Sequence, residues 1–367
     1  MRILRVAQKT YPDVKGGGPY HTYAMSRDQA AMGHDVTVLT VRTDPSLPHI
    51  EKRDGFTVVR YDPAVNLLGN DISPGVAQYL ADADNFDVMH AHSHLYFSTN
   101  LAAIKRFVGD IPLAITNHGL YSQNAPEWVF DLYLRSVGRC TFNQADVVFC
   151  YTEEDKERVQ EYGVSSRIEV VSNGIDIERF TPEGPGSDLI DAEGPVVLFV
   201  GRFAEGKRPW LAIEAFAEVL ETYPDAELYL CGDGPLRGGL AEQVNELEIE
   251  ESVTFLGQLP YAEMPSVYQS GDVLVLPSRA EGVPRTVLEA MASGTRVVMS
   301  DLEHVRPVLG ERDTVVDVTD TAATAEAIAS AFDQPGGVAK GESVVGSHRW
   351  HDTVERTTAV LDSISDV

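Results

Sequence analysis

Residues 280–298 read AEGVPRTVLEAMASGTRVV. Three kinds of local structure follow one another in that stretch. Pro284 suits a first helical position, where a missing N–H costs nothing. Val287, Leu288, Met291 and Ala292 recur at helical spacing. Gly294 suits the stop just past a helix, and TRVVMS, residues 295–300, reads as a strand. A helix that feeds a short apolar strand is a building block of parallel sheets.

The same alternation runs through the whole chain. In the first half the apolar runs are RILRVA, DVTVLT, FTVVRY, DVMHAH, IPLAIT, DVVFCY and RIEVVS. In the second half they are PVVLFV, AELYLC, SVTFLG, DVLVLP and TRVVMS. Helical segments such as 20–32 and 209–222 separate them. Continuous apolar strands of this kind are buried on both faces, with helices above and below. Residues 181–194 are rich in Pro, Gly, Asp and Glu and read as a linker. The expected fold is therefore α/β, with two doubly wound Rossmann-like domains facing a central cleft. Their expected bounds are 1–180 and 195–346. The tail, residues 347–367, is expected as an amphipathic helix with Trp350, Val354, Val360, Leu361 and Ile364 on its apolar side. Ligands of doubly wound sheets bind outside the carboxyl ends of the strands.

Glu281 and Glu289 stand eight positions apart, one in the loop before the helix that Pro284 opens and one within that helix. Eight helical residues span about 12 Å, too far for two carboxylates to share a proton. Two ends of one elongated ligand fit that separation better. Backbone N–H groups at the helix start, around residues 285–287, would lie between those ends, and helix starts favour anions such as phosphate. Taken singly, each glutamate also fits a solvated surface position.

The chain has 367 residues and a net charge of −27, from 56 acidic and 29 basic residues. Only 7 of the 29 are Lys. Such a surface argues against a general nucleic-acid binder and suggests a protein kept soluble in high salt. Cys140, Cys150 and Cys231 show no metal or disulfide spacing, which fits reduced, buried thiols in a cytoplasmic protein. No run approaches the length of a membrane span.

Against this acidic background, FVGRFAEGKRPW, residues 199–210, places Arg202, Lys207 and Arg208 just after a strand. Cations at a strand's carboxyl end suit an anionic ligand. Paired to surface acids instead, they would contribute little. Gly16, Gly17 and Gly18 follow the first strand and precede a helix, where glycines let backbone approach a ligand closely. Their spacing is not that of a dinucleotide fingerprint. His118 ends another strand. His90, His92 and His94 alternate in DVMHAHSH without carboxylate partners at metal-site spacing, so no metal is expected.

Several stretches in order over nearly the whole chain resemble the retaining glycosyltransferases of the GT-B fold, family 4. They are GGGPYHTYAMSRDQAAMGHDVTV, DVMHAHS, TNHG, VSNGIDIERF, VGRFAEGK, LCGDGP, VTFLG and PSRAEGVPRTVLEAMASG. The last carries the E-x7-E signature. The resemblance implies that Glu281 contacts donor-sugar hydroxyls and Glu289 the nucleotide ribose. It implies a diphosphate held by Arg202, Lys207, the Gly16–Gly17 loop and the backbone near Thr286 and Val287. It places His118 near the donor sugar and the C-terminal helix back on the first domain.

By the same resemblance the reaction moves a hexosyl group from a nucleotide sugar, such as UDP-glucose, UDP-N-acetylglucosamine or GDP-mannose. The acceptor would be a glycan, lipid-linked glycan or glycolipid, with the anomeric configuration retained. No cofactor or essential metal is implied, the nucleotide sugar being a co-substrate. The expected location is the cytoplasm, including the inner membrane face, where peripheral association would serve a lipid-linked acceptor. Three departures bear on donor identity: Arg208 where the family has Gly, Pro19 after the glycine loop, and Arg306 near the place of a family Glu. A sugar-nucleotide epimerase of the same fold and a non-catalytic nucleotide-sugar binder are the alternatives.

Overall fold

The apolar runs form the strands of two sheets in the computed structural model, which describes residues 1–67, 69–120, 127–303, 305–333 and 346–365. Met1–Ser172 and His351–Val367 make one compact unit, and Asn173–Trp350 makes another.

The first unit holds β1 (Arg2–Val6), β2 (Asp35–Val41), β3 (Ile50–Arg53), β4 (Phe56–Tyr61), β5 (Val65–Leu67), β6 (Asn70–Ile72), β7 (Val88–His92), β8 (Leu113–Thr116), β9 (Val147–Cys150) and β10 (Arg167–Val170). Eight of them form one sheet in the order β10-β9-β8-β7-β1-β2-β4-β3, while β5 and β6 pair separately. Only β3 runs antiparallel in the large sheet. The chain builds outward from β1 through β2 and β4, then returns to add β7 on the other side of β1. The switch point of this sheet therefore lies between β1 and β7.

Strands β7, β8 and β9 are buried at every residue, as a sheet covered on both faces requires. On one face Leu4, Leu39, Val59, Met89 and Ile115 pack with Ala102, Ala103 and Phe142 from helices. On the other, Ile3, Val38, Val58 and Val88 pack with Leu361 and Ile364 of the C-terminal helix, Trp350–Ser365. Each such side chain contributes about 1.5–3 kcal/mol when fully buried. Polar bonds fix the helix as well. Gln29 Nε2 donates to Thr358 Oγ1 at 2.9 Å, Thr353 Oγ1 to the Ser172 carbonyl at 2.9 Å, and Arg356 Nη2 to the Val170 carbonyl at 2.8 Å. Residues 366 and 367 of the expected tail lie outside the described residues.

The second unit holds β11 (Val196–Val200), β12 (Glu227–Cys231), β13 (Val253–Gly257), β14 (Val273–Leu276), β15 (Arg296–Ser300) and β16 (Thr314–Val316). They make one parallel sheet in the order β13-β12-β11-β14-β15-β16. Its switch point lies between β11 and β14. Helices Pro209–Leu220 and Thr321–Asp333 bury Ile213, Phe216, Val219 and Ile328 against it.

The passages between units differ from the bounds read in the sequence. The chain leaves the first unit between 172 and 173, rather than at 180, and returns between 350 and 351. Residues 173–180 pack with the second unit for visible reasons. Asn173 Nδ2 donates to the Val283 carbonyl at 3.2 Å, and Arg285 Nη1 to the Gly174 carbonyl at 2.6 Å. Ile175 pairs in parallel with Arg349, and the Phe180 ring meets those of Tyr261 and Tyr268.

Candidate active site

In the second unit the switch point is flanked by the loop after β11, residues 201–208, and the loop after β14, residues 277–284. The first carries Arg202 and Lys207, the second Glu281. Backbone bonds fix the β11 loop. Phe203 N donates to the Asp233 carbonyl at 2.9 Å, Gly201 N to the Cys231 carbonyl at 3.0 Å, and Arg279 N to the Gly206 carbonyl at 2.9 Å. The LCGDGP stretch supplies the fit. A Cβ on Gly232 would sit 1.8 Å from the Gly201 carbonyl oxygen, and one on Gly234 2.4 Å from that of Phe203. Only glycine lets these neighbouring loops touch.

Lys207 Nζ pairs with Glu281 Oε1 across the switch point. Glu281 is buried, Lys207 is half-buried and Arg202 is exposed. An ammonium has three N–H donors, so one bond to Glu281 leaves capacity for phosphate oxygens. The Arg208 departure has a backbone reading. Arg208 sits at φ 48° and ψ 47°, the left-handed region, directly before the helix Pro209–Leu220. Glycine is the residue that region tolerates without strain.

The helix Arg285–Ala292 begins after Pro284, which caps it rather than opening it. Gly294 adopts φ 87° beyond its end, as a left-handed helix stop does. Glu289 is buried inside this helix and is gripped on all sides. Tyr261 Oη donates to Oε1 at 2.7 Å, Tyr268 Oη to Oε2 at 3.1 Å, and Arg285 Nε lies 3.5 Å from Oε1. Burial pushes the Glu289 carboxyl up from its ordinary value, while Arg285 and the two phenols oppose that rise. Arg285 itself lies over the Trp350 ring at 5.5 Å, and Arg179 over the Tyr261 ring at 4.9 Å. Glu281 thus pairs with Lys207, whereas Glu289 is held by Tyr261, Tyr268 and Arg285. At the helix start the Val287 N–H already donates to the Pro284 carbonyl at 3.1 Å. Thr286 Oγ1 is buried without a hydrogen-bond partner among the described residues, so its hydroxyl can meet a ligand oxygen.

In the first unit, Gly16 has φ 143° and precedes the helix Gly17–Ala31, which has no side-chain cap. Gly16 and Gly17 are exposed, and the first N–H groups of a helix have no partner within it. Asp13 anchors the loop leading to them. It accepts from Arg60 Nε at 2.7 Å and from Arg53 Nη2 at 2.9 Å. His118 follows β8. Its Nε2 lies 3.1 Å from His92 Nδ1 and its Nδ1 lies 2.7 Å from Tyr151 Oη. Burial draws its pKa down to about 4. The ring is therefore neutral near pH 7, with both nitrogens engaged.

His90 and His92 both lie beside Arg5, at 3.4 Å and 3.3 Å from its Nη1. A guanidinium there repels a metal cation. His94 lies past the strand end and packs on Phe142 with ring centroids 4.7 Å apart. Among the described residues the one cluster of three potential metal ligands is His351, Asp352 and Glu355, exposed on the C-terminal helix. Arg306 is held by Asp301, with Nε 2.6 Å from Oδ1.

Two family models match, one described as Glycosyltransferase Family 4 over residues 15–179 and one as Glycosyl transferases group 1 over residues 182–342. The chain is 29% identical to a glycogen synthase of Mycobacterium tuberculosis, covering 91% of this chain and 87% of that one. It is 28% identical to a phosphatidyl-myo-inositol mannosyltransferase of Mycolicibacterium smegmatis, covering 100% and 94%. Among solved structures, the Anabaena protein HepE in complex with UDP and glucose superposes with a TM-score of 0.82 at 20% identity, over 99% of this chain and 100% of that one. Sucrose-phosphate synthase from Thermosynechococcus elongatus gives 0.81 at 20% identity, over 99% of each. The chain therefore belongs to the family 4 glycosyltransferases and has the GT-B fold. Among the described residues no helix is long and apolar enough to cross a membrane.

Proposed function

We propose that this glycosyltransferase moves a hexosyl group from a nucleoside-diphosphate sugar to a glycan, lipid-linked glycan or glycolipid, with retention and without an essential metal. The observation that carries the reading is the Lys207–Glu281 pair at the second sheet's switch point, with Arg202 on the same loop. Arg202 and Lys207 bind the diphosphate. Glu281 fixes donor-sugar hydroxyls and Glu289 the ribose, with Thr286 and Val287 at the helix start near the phosphates. The first unit's Gly16–Gly17 backbone and His118 are assigned to the same donor by family resemblance.

In this reaction the bond from the anomeric carbon to the phosphate oxygen breaks, and its electron pair leaves with the nucleoside diphosphate. The acceptor oxygen bonds to that carbon on the same face, and its proton passes to the departing phosphate. Fixed cations stabilise the charge that develops there, so no protein nucleophile and no cofactor are required. The work is done in the cytoplasm, and peripheral association with the inner membrane face would serve a lipid-linked acceptor.

The test is a thermal-shift screen of UDP-glucose, UDP-N-acetylglucosamine and GDP-mannose, since a ligand of the folded state raises its stability. Product masses follow for each hit, with and without EDTA. Transfer or slow hydrolysis that survives EDTA supports the proposal. A new epimer means an isomerase, binding without products means a sensor, and loss restored by manganese removes metal independence. Arg202→Ala with Lys207→Ala should abolish donor binding in a protein that still folds.

A further inference from the structure

Arg5, on β1, is completely buried and makes no ion pair among the described residues. Burial lowers its pKa to about 9, so it stays charged at neutral pH. Holding an unpaired charge inside a domain is costly. The hydrogen bonds around it give that charge a use.

A guanidinium only donates. Because Arg5 Nη1 lies 3.3 Å from His92 Nε2, that nitrogen accepts, and the His92 proton sits on Nδ1. His92 Nδ1 then donates to His118 Nε2 at 3.1 Å, so the His118 proton sits on Nδ1 and is directed at Tyr151 Oη, 2.7 Å away. A parallel branch obeys the same rule. Arg5 Nη1 lies 3.4 Å from His90 Nδ1, and His90 Nε2 lies 2.7 Å from Thr116 Oγ1. Behind Arg5 the direction is fixed too. The Thr358 hydroxyl donates to the Val354 carbonyl at 2.7 Å, so it accepts from Gln29 Nε2 at 2.9 Å. That turns Gln29 Oε1 toward Arg5 Nη2, with which it bonds.

We propose that Arg5 is a positioning residue for the transfer reaction: through His92 it locks the His118 ring in one orientation with its proton on Nδ1, backed by Gln29 and Thr358 of the C-terminal helix. His118 then presents a fixed ring beside the donor sugar while its polar atoms face inward. The effect on turnover rests on the placement of His118 proposed above, whereas the proton positions do not.

The experiment is long-range 1H–15N correlation spectroscopy of the histidine-labelled full chain at neutral pH, with His118 assigned by His118→Gln. The native protein should show protonated Nδ1 and bare Nε2. Tyr151→Phe should leave that pattern unchanged, because the lock comes from the other side. Arg5→Met should give a mixture of His118 tautomers, with kcat down on the order of tenfold to a hundredfold from ring misplacement and donor KM nearly unchanged. A native His118 protonated on Nε2 overturns the proposal, even if Arg5→Met fails to fold. So does a tautomer that follows Tyr151→Phe. Mixed tautomers with undiminished kcat overturn the positioning role and locate the fault in the placement of His118 beside the sugar.

Discussion

Arg285 and Glu289 are joined through one phenol. Arg285 Nη2 donates to Tyr261 Oη at 3.0 Å, and the Tyr261 hydroxyl in turn donates to Glu289 Oε1 at 2.7 Å. The pair also lies 3.5 Å apart directly, Nε to Oε1, four residues along one helix. Glu289 is thereby held as an oriented, buried acceptor before any ligand arrives. Glu281, bound to Lys207, is held quite differently.

That contrast separates the two signature glutamates. Glu289→Gln should weaken a bare nucleoside diphosphate by about 1.5–3 kcal/mol, roughly ten- to a hundredfold in affinity. Glu281→Gln frees Lys207 for phosphate, so the same ligand should bind as well as before or better, while transfer collapses. Calorimetric titration of the nucleoside diphosphate into both variants decides. A loss confined to Glu281→Gln would mean the two ends of the donor are assigned in reverse, and equal losses would mean the two glutamates do not do separate jobs.

Arg208 occupies a left-handed backbone position at φ 48°. Relieving that strain should outweigh the extra freedom glycine gives the unfolded chain. Arg208→Gly should therefore raise stability by up to about 1 kcal/mol, or roughly 2–4 °C in melting temperature. A lower melting temperature would show that the arginine side chain holds the loop by contacts worth more than the strain.

Gly232 tests how the cation-bearing loop is seated. Its Cβ would lie 1.8 Å from the Gly201 carbonyl oxygen, one residue before Arg202. Gly232→Ala should displace that loop and reduce donor affinity by more than about tenfold, since misplacing a binding group by 1 Å is enough. Retained affinity in a folded variant refutes the seating argument.

The buried histidines set an acid limit. Burial lowers His118 to about 4 and His94 to about 3, against about 6.5 in the unfolded chain. Both are neutral in the fold, so above that value they make no pH-dependent contribution. As pH falls below it, the unfolded chain takes up protons first and stability is lost, by about 1.4 kcal/mol per pH unit for each fully titrating group. Urea midpoints measured from pH 7.5 down to 4.5 should fall accordingly, and His94→Phe should remove one group's share. A flat profile in the native protein contradicts the buried, neutral state.

Legibility followed burial. The inner strands announced themselves as apolar runs because water touches neither face. Ile50–Arg53, with sequence IEKR, and Thr314–Val316 did not, because sheet-edge strands are short and polar or half exposed. The short hairpin of β5 and β6 hid for the same reason, with β5 exposed throughout. In the site, Lys207 and Glu281 could be read from motifs. The grip on Glu289 could not, since Tyr261 and Tyr268 stand 28 and 21 residues away and meet it only through folding. The direction of the histidine chain was equally hidden. HAH on a strand says that two rings share a face, and only the position of Arg5 says where their protons go.

The C-terminal helix has a consequence for synthesis. Leu361 and Ile364 complete one apolar face of a sheet whose strands all lie before residue 172. At 5–20 residues per second, making residues 173–350 takes roughly 10–40 s. For that interval the nascent first unit carries an uncovered hydrophobic surface at Val38, Val58 and Val88, and Gln29 lacks Thr358. Until Leu361 and Ile364 are made that face cannot close, so the second unit is the first that can be fully clothed.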